Sequence, residues 1–476
     1  MLFADRSRSM IKKIISVLVL VLVVVTSVMI VYWKDSQFDP SAQDIWLYLV
    51  ILPLVLGSVL LAPWLLFKAY RAYRQRQQEL AIQKEITPEK SEIASETTPE
   101  WITLNVFSSY AFATAGENNE LLDAIMDYQS PQLDTELVNA YGLPILSYRI
   151  TDLTLEQNET EYSARQQRIR ALITQQIQQQ HMTLLNIAEH LKHSSLFYET
   201  EHVQAYRMHP AWINEQYTDQ EEDSSQTAPE PVSQLTRLNV HIFLPEDLLH
   251  FWNDDENNDF LNQQLIQLGF IPEKIFIEYQ FVSAVSAYTE WNELLKRIAI
   301  KTDEVTLVVS VDSEIDQELI EERFWQHQNY IPSEFIASCC LAAESVLINS
   351  LQPLKQLKLC TNHSDTALAL NHLQLHDLPQ YQDEQPFVFI LEQAADFGMS
   401  KSLDQHFNRT SIEPHHYLYA CSLIGHTQQV SKIYGAMLAL QTIDQSVAFI
   451  FSRHALSTFT VVQNAISEIE QEEEAA

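Results

Sequence analysis

The chain has 476 residues, 46 % of them hydrophobic, with 29 Lys+Arg against 63 Asp+Glu and a formal net charge of −34. So acidic a chain offers no broad basic face for neutralising phosphates, which excludes nucleic acid as a partner. Its seven glycines supply neither GxGxxG nor GxxxxGKS/T, excluding Gly-rich nucleotide cradles, and its apolar content excludes general disorder.

The charge is unevenly spread. Residues 1–76 carry nine basic and four acidic side chains, whereas residues 77–476 carry 20 and 59. A cytoplasmic N-terminus (1–13) leads into an uncharged run at 14–33, IISVLVLVLVVVTSVMIVYW, long enough to cross a bilayer core of about 30 Å. After a short periplasmic loop (34–44) comes a second run, 45–67, with Trp46, Tyr48 and Trp64 near its ends, where interfacial aromatics sit. The first run is too long for a signal-peptide core and no small-x-small site follows it. Arg6, Arg8, Lys12 and Lys13 precede the pair and Lys68, Arg71, Arg74 and Arg76 follow it. The positive-inside rule therefore predicts an inner-membrane hairpin contacting the bilayer through two helices, with the large domain in the cytoplasm. Four cysteines, two of them adjacent (Cys339, Cys340, Cys360, Cys421), suit a reducing compartment.

Residues 68–100 read as a basic-then-acidic flexible tether. The domain is expected over 101–465, with a disordered insertion at 217–231 (YTDQEEDSSQTAPEP) and an acidic tail at 466–476. β-Rich apolar runs predict strands at 103–107, 239–244, 275–281, 305–311, 335–341, 387–391, 417–421 and 447–452. Helical periodicity covers 119–128, 163–193, 259–268, 289–298, 427–443 and 457–468. Strands separated by helices predict a layered α/β domain, and no short repeat is evident.

Generic catalytic signatures are scarce: GxSxG, HExxH, CxxC and the EF-hand loop are all missing. His190 and His193 have a spacing that metals use on helices, but without a third ligand they read as surface histidines. His415 and His416 stand before a strand with nothing to mark them. No metal and no cofactor is expected.

One segment stands out, Cys421–Leu440 (CSLIGHTQQVSKIYGAMLAL). It resembles the K-S-N-I-G-H-T histidine motif and following helix of β-ketoacyl synthases, the condensing enzymes of the thiolase fold. His426 falls on the family's catalytic histidine and Gly435 on the second helix glycine. The resemblance continues in order through Leu104–Tyr128, Gly142-Leu143-Pro144, Thr289–Asp316 (against V-G-G-V-D-S) and Tyr330–Glu344 (against P-G-E-G-A-A). It implies a thiolase-like layered α/β domain over most of 101–465.

The departures from that pattern bear on activity. The reaction needs a cysteine at a helix N-terminus, whose thiolate takes the acyl group. That position falls near Ser283–Ser286, and no cysteine precedes Cys339; a serine there reads as a helix cap. The first catalytic histidine is replaced within Glu392-Gln393-Ala394-Ala395-Asp396. The motif lysine is Cys421, and the first helix glycine is Lys432, which would crowd the pocket. Where the family has glycine loops for its oxyanion hole, this chain has Ser310, Ser333, Phe335 and Lys432. One catalytic side chain survives, His426, and it reads as a structural histidine at a strand–helix turn.

The expected function is thus a pseudoenzyme acting as a membrane-anchored adaptor. Its layout resembles type VI secretion-associated accessory proteins and lipase-effector adaptors, which implies an effector, spike or membrane-complex partner. An acidic domain suits a partner with a basic face and salt-sensitive association. Homodimerisation, which condensing enzymes generally show, stays open. The alternative is a membrane-associated acyl-binding protein, or an enzyme of residual activity derived from a β-ketoacyl synthase.

Overall fold

The computed structural model divides the chain into two compact units, Met1–Thr97 and Thr98–Ala476. It describes residues 101–153, 163–206, 233–326, 330–349, 351–361, 365–392, 397–425, 429–443, 446–455 and 458–465, with Ser27 and Asp35 as isolated positions. Among the described residues no helix is long and apolar enough to cross a membrane. Of the predicted spans 14–33 and 45–67 only Ser27 is described; the tether, the 217–231 insertion and the 466–476 tail lie outside the described residues.

The second unit opens with β1 (Trp101–Ala113), short β2 (Gly116–Glu117) and α1 (Asn119–Met126). A separate hairpin, β3 (Gln132–Val138) and β4 (Pro144–Ser147), precedes α2 (Ala164–Gln179) and α3 (His181–Tyr206). Then follow β5 (Arg237–Pro245), α4 (Asp254–Gln267), β6 (Ile275–Val282), α5 (Ala287–Ile300), β7 (Glu304–Ser313), α6 (Gln317–Gln326) and β8 (Glu334–Ala343). The chain continues as β9 (Lys355–Thr361), α7 (Thr366–His372), α8 (Pro379–Gln382), β10 (Val388–Ile390), α9 (Phe397–Phe407) and β11 (Tyr417–Tyr419). It ends with α10 (Ser431–Leu438), β12 (Ala448–Phe451) and β13 (Thr458–Asn464).

The main sheet runs β11-β10-β12-β13-β9-β1-β8-β7-β5-β6, with β2 paired onto β1. The order contains a duplication. Counting β1, β5, β6, β7 and β8 as one set and β9 to β13 as another, each set is laid out third-second-fourth-fifth-first from its outer edge. Pairing directions match as well: β6, β5 and β7 are parallel and β8 antiparallel, as are β11, β10, β12 and then β13. The two first strands, β1 and β9, join the halves antiparallel. The fold is a layered mixed α/β fold, as the sequence predicts.

Alternation along the strands builds three cores. Val388 and Ile390 of β10 enter one cluster with α7 and α9, while Phe389 faces another. Val309 and Val311 of β7 pack with α2, α3 and α4, while Val308 faces the shared cluster. That shared cluster takes residues from both half-sheets and encloses α5 and α10, which fill equivalent places between the third and fourth strands of each half. All ten residues of β7, all ten of β8 and all eight of α10 are buried. Strands covered on both faces read as continuous apolar runs rather than as alternation. Gly435 lets α10 approach so closely: a Cβ there would lie 3.0 Å from Leu391 Cδ2 and 3.1 Å from Ala420 Cβ.

Two predicted helices are corrected. The segment expected as a helix over 457–468 is β13 up to Asn464; its Thr-Phe-Thr-Val-Val start is β-branched and aromatic, and it ladders with both β9 and β12. The single helix expected over 163–193 breaks at Gln180, whose side chain accepts from Ser108 Oγ at 2.9 Å and donates to Ser338 Oγ.

Candidate functional site

Four segments converge where α5 and α10 begin: the turn after β6, the end of β10, the turn between β11 and α10, and the approach to β8. These hold the positions singled out by the sequence. Ser283 and Ser286 stand before α5, but Ser286 as N-cap accepts no N–H from the helix. The pair closes its own turn instead, Ser286 N donating to Ser283 Oγ at 3.3 Å with the hydroxyls 3.2 Å apart. Ser286 Oγ accepts in return from Ser283 N at 3.2 Å, the reciprocal pattern of a capping box, so the cap expected of a serine here falls to Ser283, one turn ahead of α5. Val285 between them is 74 % exposed, so this turn faces solvent.

Glu392 and Lys432 meet behind it. Glu392 Oε1 accepts from Ser452 Oγ at 2.8 Å and Arg453 N at 3.0 Å, with Lys432 Nζ at 3.9 Å. Both side chains are about nine-tenths buried. Burial lowers the Lys432 ammonium from the usual lysine range, and the Glu392 carboxylate draws it partly back. Cys421, where the family motif has lysine, lies within 3.5 Å of the Leu391 carbonyl and 3.3 Å of the Ser431 carbonyl. Burial pushes its thiol up to about 12, so it donates weak S–H bonds and is no nucleophile at neutral pH.

Among the described residues, buried rings pack beside these groups. Phe335 and Tyr434, both fully buried, pack with centroids 4.6 Å apart and their planes tilted by 55°. Tyr288 in the first turn of α5 lies 3.2 Å from Thr460 Oγ1, and burial pushes its phenol up to about 12. Ser333 Oγ donates to the Ile424 carbonyl at 2.6 Å. Gly425 has φ +55°, and a Cβ there would fall 2.4 Å from the Ile331 carbonyl oxygen, which no backbone shift accommodates cheaply. Ser310 is buried on β7. His426 and the 393–396 stretch lie outside the described residues.

Cys339, Cys340 and Cys360 are buried and form no disulfide, and burial raises the Cys339 thiol and pushes the Cys340 thiol up to about 12. Among the described residues no group of three His, Cys, Asp or Glu side chains could hold a metal ion.

The surface assignment of His190 is corrected. It is 3 % exposed, its Nδ1 accepts from Asn349 N at 3.0 Å and its Nε2 faces the Ser233 carbonyl at 2.9 Å. That pairing requires the neutral Nε2–H tautomer. Burial lowers its pKa below the usual histidine range. His193 is exposed. His416 is buried, its Nδ1 accepting from Glu413 N at 2.9 Å and its ring edge-on to Tyr381.

Sequence reasoning missed a second cluster, at the junction of β7 and β8 with α2. Arg165 reaches Asp312 at 2.8 Å and Asp247 at 3.1 Å; Arg323 reaches the same Asp247 oxygen at 2.9 Å. Arg168 grips Glu334 with two nitrogens, one of them at 2.8 Å, and donates to the Ile150 carbonyl at 2.8 Å. Glu334 also accepts from Ile150 N and Ser313 Oγ. Beside them Glu314 accepts from the Tyr330 hydroxyl. Burial, reinforced by the Asp312 charge, pushes the Glu314 carboxyl up to about 7. Three arginines then balance Asp247, Asp312 and Glu334, with Glu314 neutral below pH 7. The available signal was the acidic ending Asp312-Ser313-Glu314 on an otherwise apolar strand, together with arginines three apart on one helix. The arrangement bolts α2 to the sheet.

No protein-family model matches the chain, and no curated protein matches it in sequence. Solved structures do. The chain is similar to the ketosynthase from module 6 of the bacillaene synthase of Bacillus subtilis 168, at 9 % identity over 76 % of this chain and 72 % of that one, TM-score 0.43. It is also similar to cerulenin-bound OleA of Xanthomonas campestris, at 8 % identity over 78 % and 99 %, TM-score 0.34. A third likeness is to a type II polyketide ketosynthase in complex with its acyl-carrier protein, at 11 % identity over 77 % and 100 %, TM-score 0.38. These are likenesses of fold, and activity does not follow from them.

Proposed function

We propose that the chain is a non-catalytic adaptor, anchored in the inner membrane, whose large domain is a degenerate thiolase-like domain that binds proteins. The observation that carries the reading is the set of described residues at the start of α5 and α10. Phe335, Tyr434, Tyr288 and the Lys432–Glu392 pair pack there, Cys421 beside them is buried with its thiol protonated, and a serine turn stands where the condensing pattern needs cysteine. The duplicated layout adds support. Two of the sequence blocks, Thr289–Asp316 and Cys421–Leu440, supply α5 with β7 and α10, so they sit in matching places of the two halves. A type VI secretion effector, spike or membrane-complex component is the client class that the sequence layout favours.

Incubation of the full chain with acyl-CoA or acyl-carrier protein, followed by intact-mass measurement, tests the loss of chemistry: no covalent acyl adduct is expected. An adduct on any side chain overturns it. Crosslinked affinity capture in the native host tests the adaptor role, and recovery of no secretion component removes that client class. A periplasmically active C-terminal phosphatase fusion would contradict the cytoplasmic placement.

A further inference from the structure

An apolar cavity of about 220 Å³ lies between α1 and the outer edge of the second half-sheet. Leu122, Asp123 and Met126 of α1 form one wall, and Phe389 of β10, Leu418 of β11 and Ile443 form the other. Phe389 and Leu418 are buried, whereas Met126 is 42 % and Ile443 60 % exposed. Large apolar side chains held in water around an apolar hollow gain free energy when something covers them.

Among the described residues Asp123 is the sole charged group in the cavity's lining, while the buried Lys355 ammonium donates to the carbonyl and hydroxyl of Thr442 on the opposite wall. Asp123 and Asp127 stand in the last turn and C-cap of α1, which carries no basic residue there. Carboxylates at a helix C-terminus face the negative end of the helix dipole. Lys355 donates inward to Thr442, so the exposed α1 side of the mouth keeps its negative potential beside an apolar hollow, and a cation beside an inserted side chain relieves both features.

We propose that this cavity is a docking site for a partner protein segment that inserts one large apolar side chain and places lysine or arginine next to it. The inference rests on the adaptor reading and names the surface and the partner chemistry for it. Charge complementarity makes the choice of occupant. A second copy would bring another acidic surface, from a chain of net charge −34, against α1. An anionic lipid face meets the same repulsion. A basic-flanked apolar segment meets none, and an anchor seated in a pocket is how a small area comes to dominate binding.

Photocrosslinking from p-benzoylphenylalanine placed at Met126 of the full chain, in the native host, with sequencing of the crosslinked peptide, tests the site. The expected adduct is a peptide of another protein with a large apolar residue and at least two Lys or Arg within about four positions of it. Its yield should fall at least about five-fold in Asp123→Lys, a change on the exposed side of α1. A crosslink to a second copy or to lipid, a peptide without basic flanks, an adduct insensitive to Asp123→Lys, or no adduct overturns the proposal. Affinity capture with the unmodified chain separates the two readings. If it recovers a partner while Met126 gives no qualifying adduct, the site falls and the adaptor reading stands; if it recovers none, both fall.

Discussion

Glu314 and His190 are buried ionisable groups whose proton states have opposite consequences. The Glu314 carboxyl titrates near 7 because burial and the Asp312 charge disfavour its ionised form, whereas in the unfolded chain it titrates near the ordinary glutamate value of about 4.3. Between those values the folded state binds more protons than the unfolded one. Its contribution is therefore fully present below about pH 4 and is lost as pH rises through 7. Urea unfolding of wild type and Glu314→Gln should show the wild type ahead at pH 5 and that lead gone by pH 8; a lead independent of pH would contradict the neutral acid. His190 works the other way. Its folded pKa is depressed by burial, so its contribution is present above about 6.5 and is lost as pH falls through the folded value. Protonation would also turn the Nδ1 acceptor of Asn349 N–H into a donor. His190→Phe should cost about 1–3 kcal/mol at pH 7, the usual penalty of orphaning a buried polar group. That gap should narrow toward pH 5 in the same assay. The two slopes oppose one another just below pH 6.5, so differences between variant and wild type report them and the wild-type curve alone does not.

At the scale of elements, α2 and α10 are held by different means. Arg168 of α2 makes a two-nitrogen grip on Glu334, which is fully buried. Arg168→Met leaves that carboxylate with only Ile150 N and Ser313 Oγ, and breaking a buried pair in this way typically costs about 3–5 kcal/mol. Lys432 of α10 lies 3.9 Å from Glu392, which keeps Ser452 Oγ and Arg453 N as partners. Lys432→Met also removes a cation that burial already disfavours, so it should cost less than about 1 kcal/mol. Paired denaturation curves check the ranking, and equal costs would show that Lys432 is as structural as Arg168. The same contrast explains what the sequence made legible. Lys432, Glu392 and Cys421 were singled out by the resemblance to the condensing-enzyme motif, and each sits within a few residues of a strand end or helix start. The Arg165–Asp312 and Arg168–Glu334 pairs join residues 147 and 166 positions apart, and no local pattern encodes such a pairing. β7 and β8 were readable as apolar runs. β9 was not, since Lys355 stands in the buried phase of its alternation with Leu357 and Leu359, and β13 was not, since its β-branched start runs on into helix-forming residues. His190 shows the same limit: residue type suggested a surface position, and partners distant in sequence, Ser233 and Asn349, decided otherwise.

For the whole molecule, the duplication explains why no repeat is evident in the sequence. The first half inserts α1, the β3–β4 hairpin, α2 and α3 between its first two strands, whereas the second half has only α7 and α8 there. A repeat whose copies differ so much in length leaves no constant period to detect. The halves are nonetheless one energetic unit, because the central cluster draws Leu104, Phe335 and Leu341 from the first and Leu357, Phe389 and Ile450 from the second around α5 and α10. Local opening free energies rise with shared buried contacts, so the best-protected amides of β7 and β8 should open with those of β12 and β13. Gly435 tests this directly. Its absent Cβ already has Leu391 Cδ2 and Ala420 Cβ at 3.0 and 3.1 Å and Cys421 Sγ at 3.3 Å, so the branched side chain of Gly435→Val overpacks the α10 seat, at a cost of about 1–3 kcal/mol. Native-state hydrogen exchange should find that loss in full in both halves, although Gly435 itself belongs to the second. A loss confined to β12 and β13, with β7 and β8 unchanged to within about 0.5 kcal/mol, would mean that the halves open independently and that the shared core does not couple them.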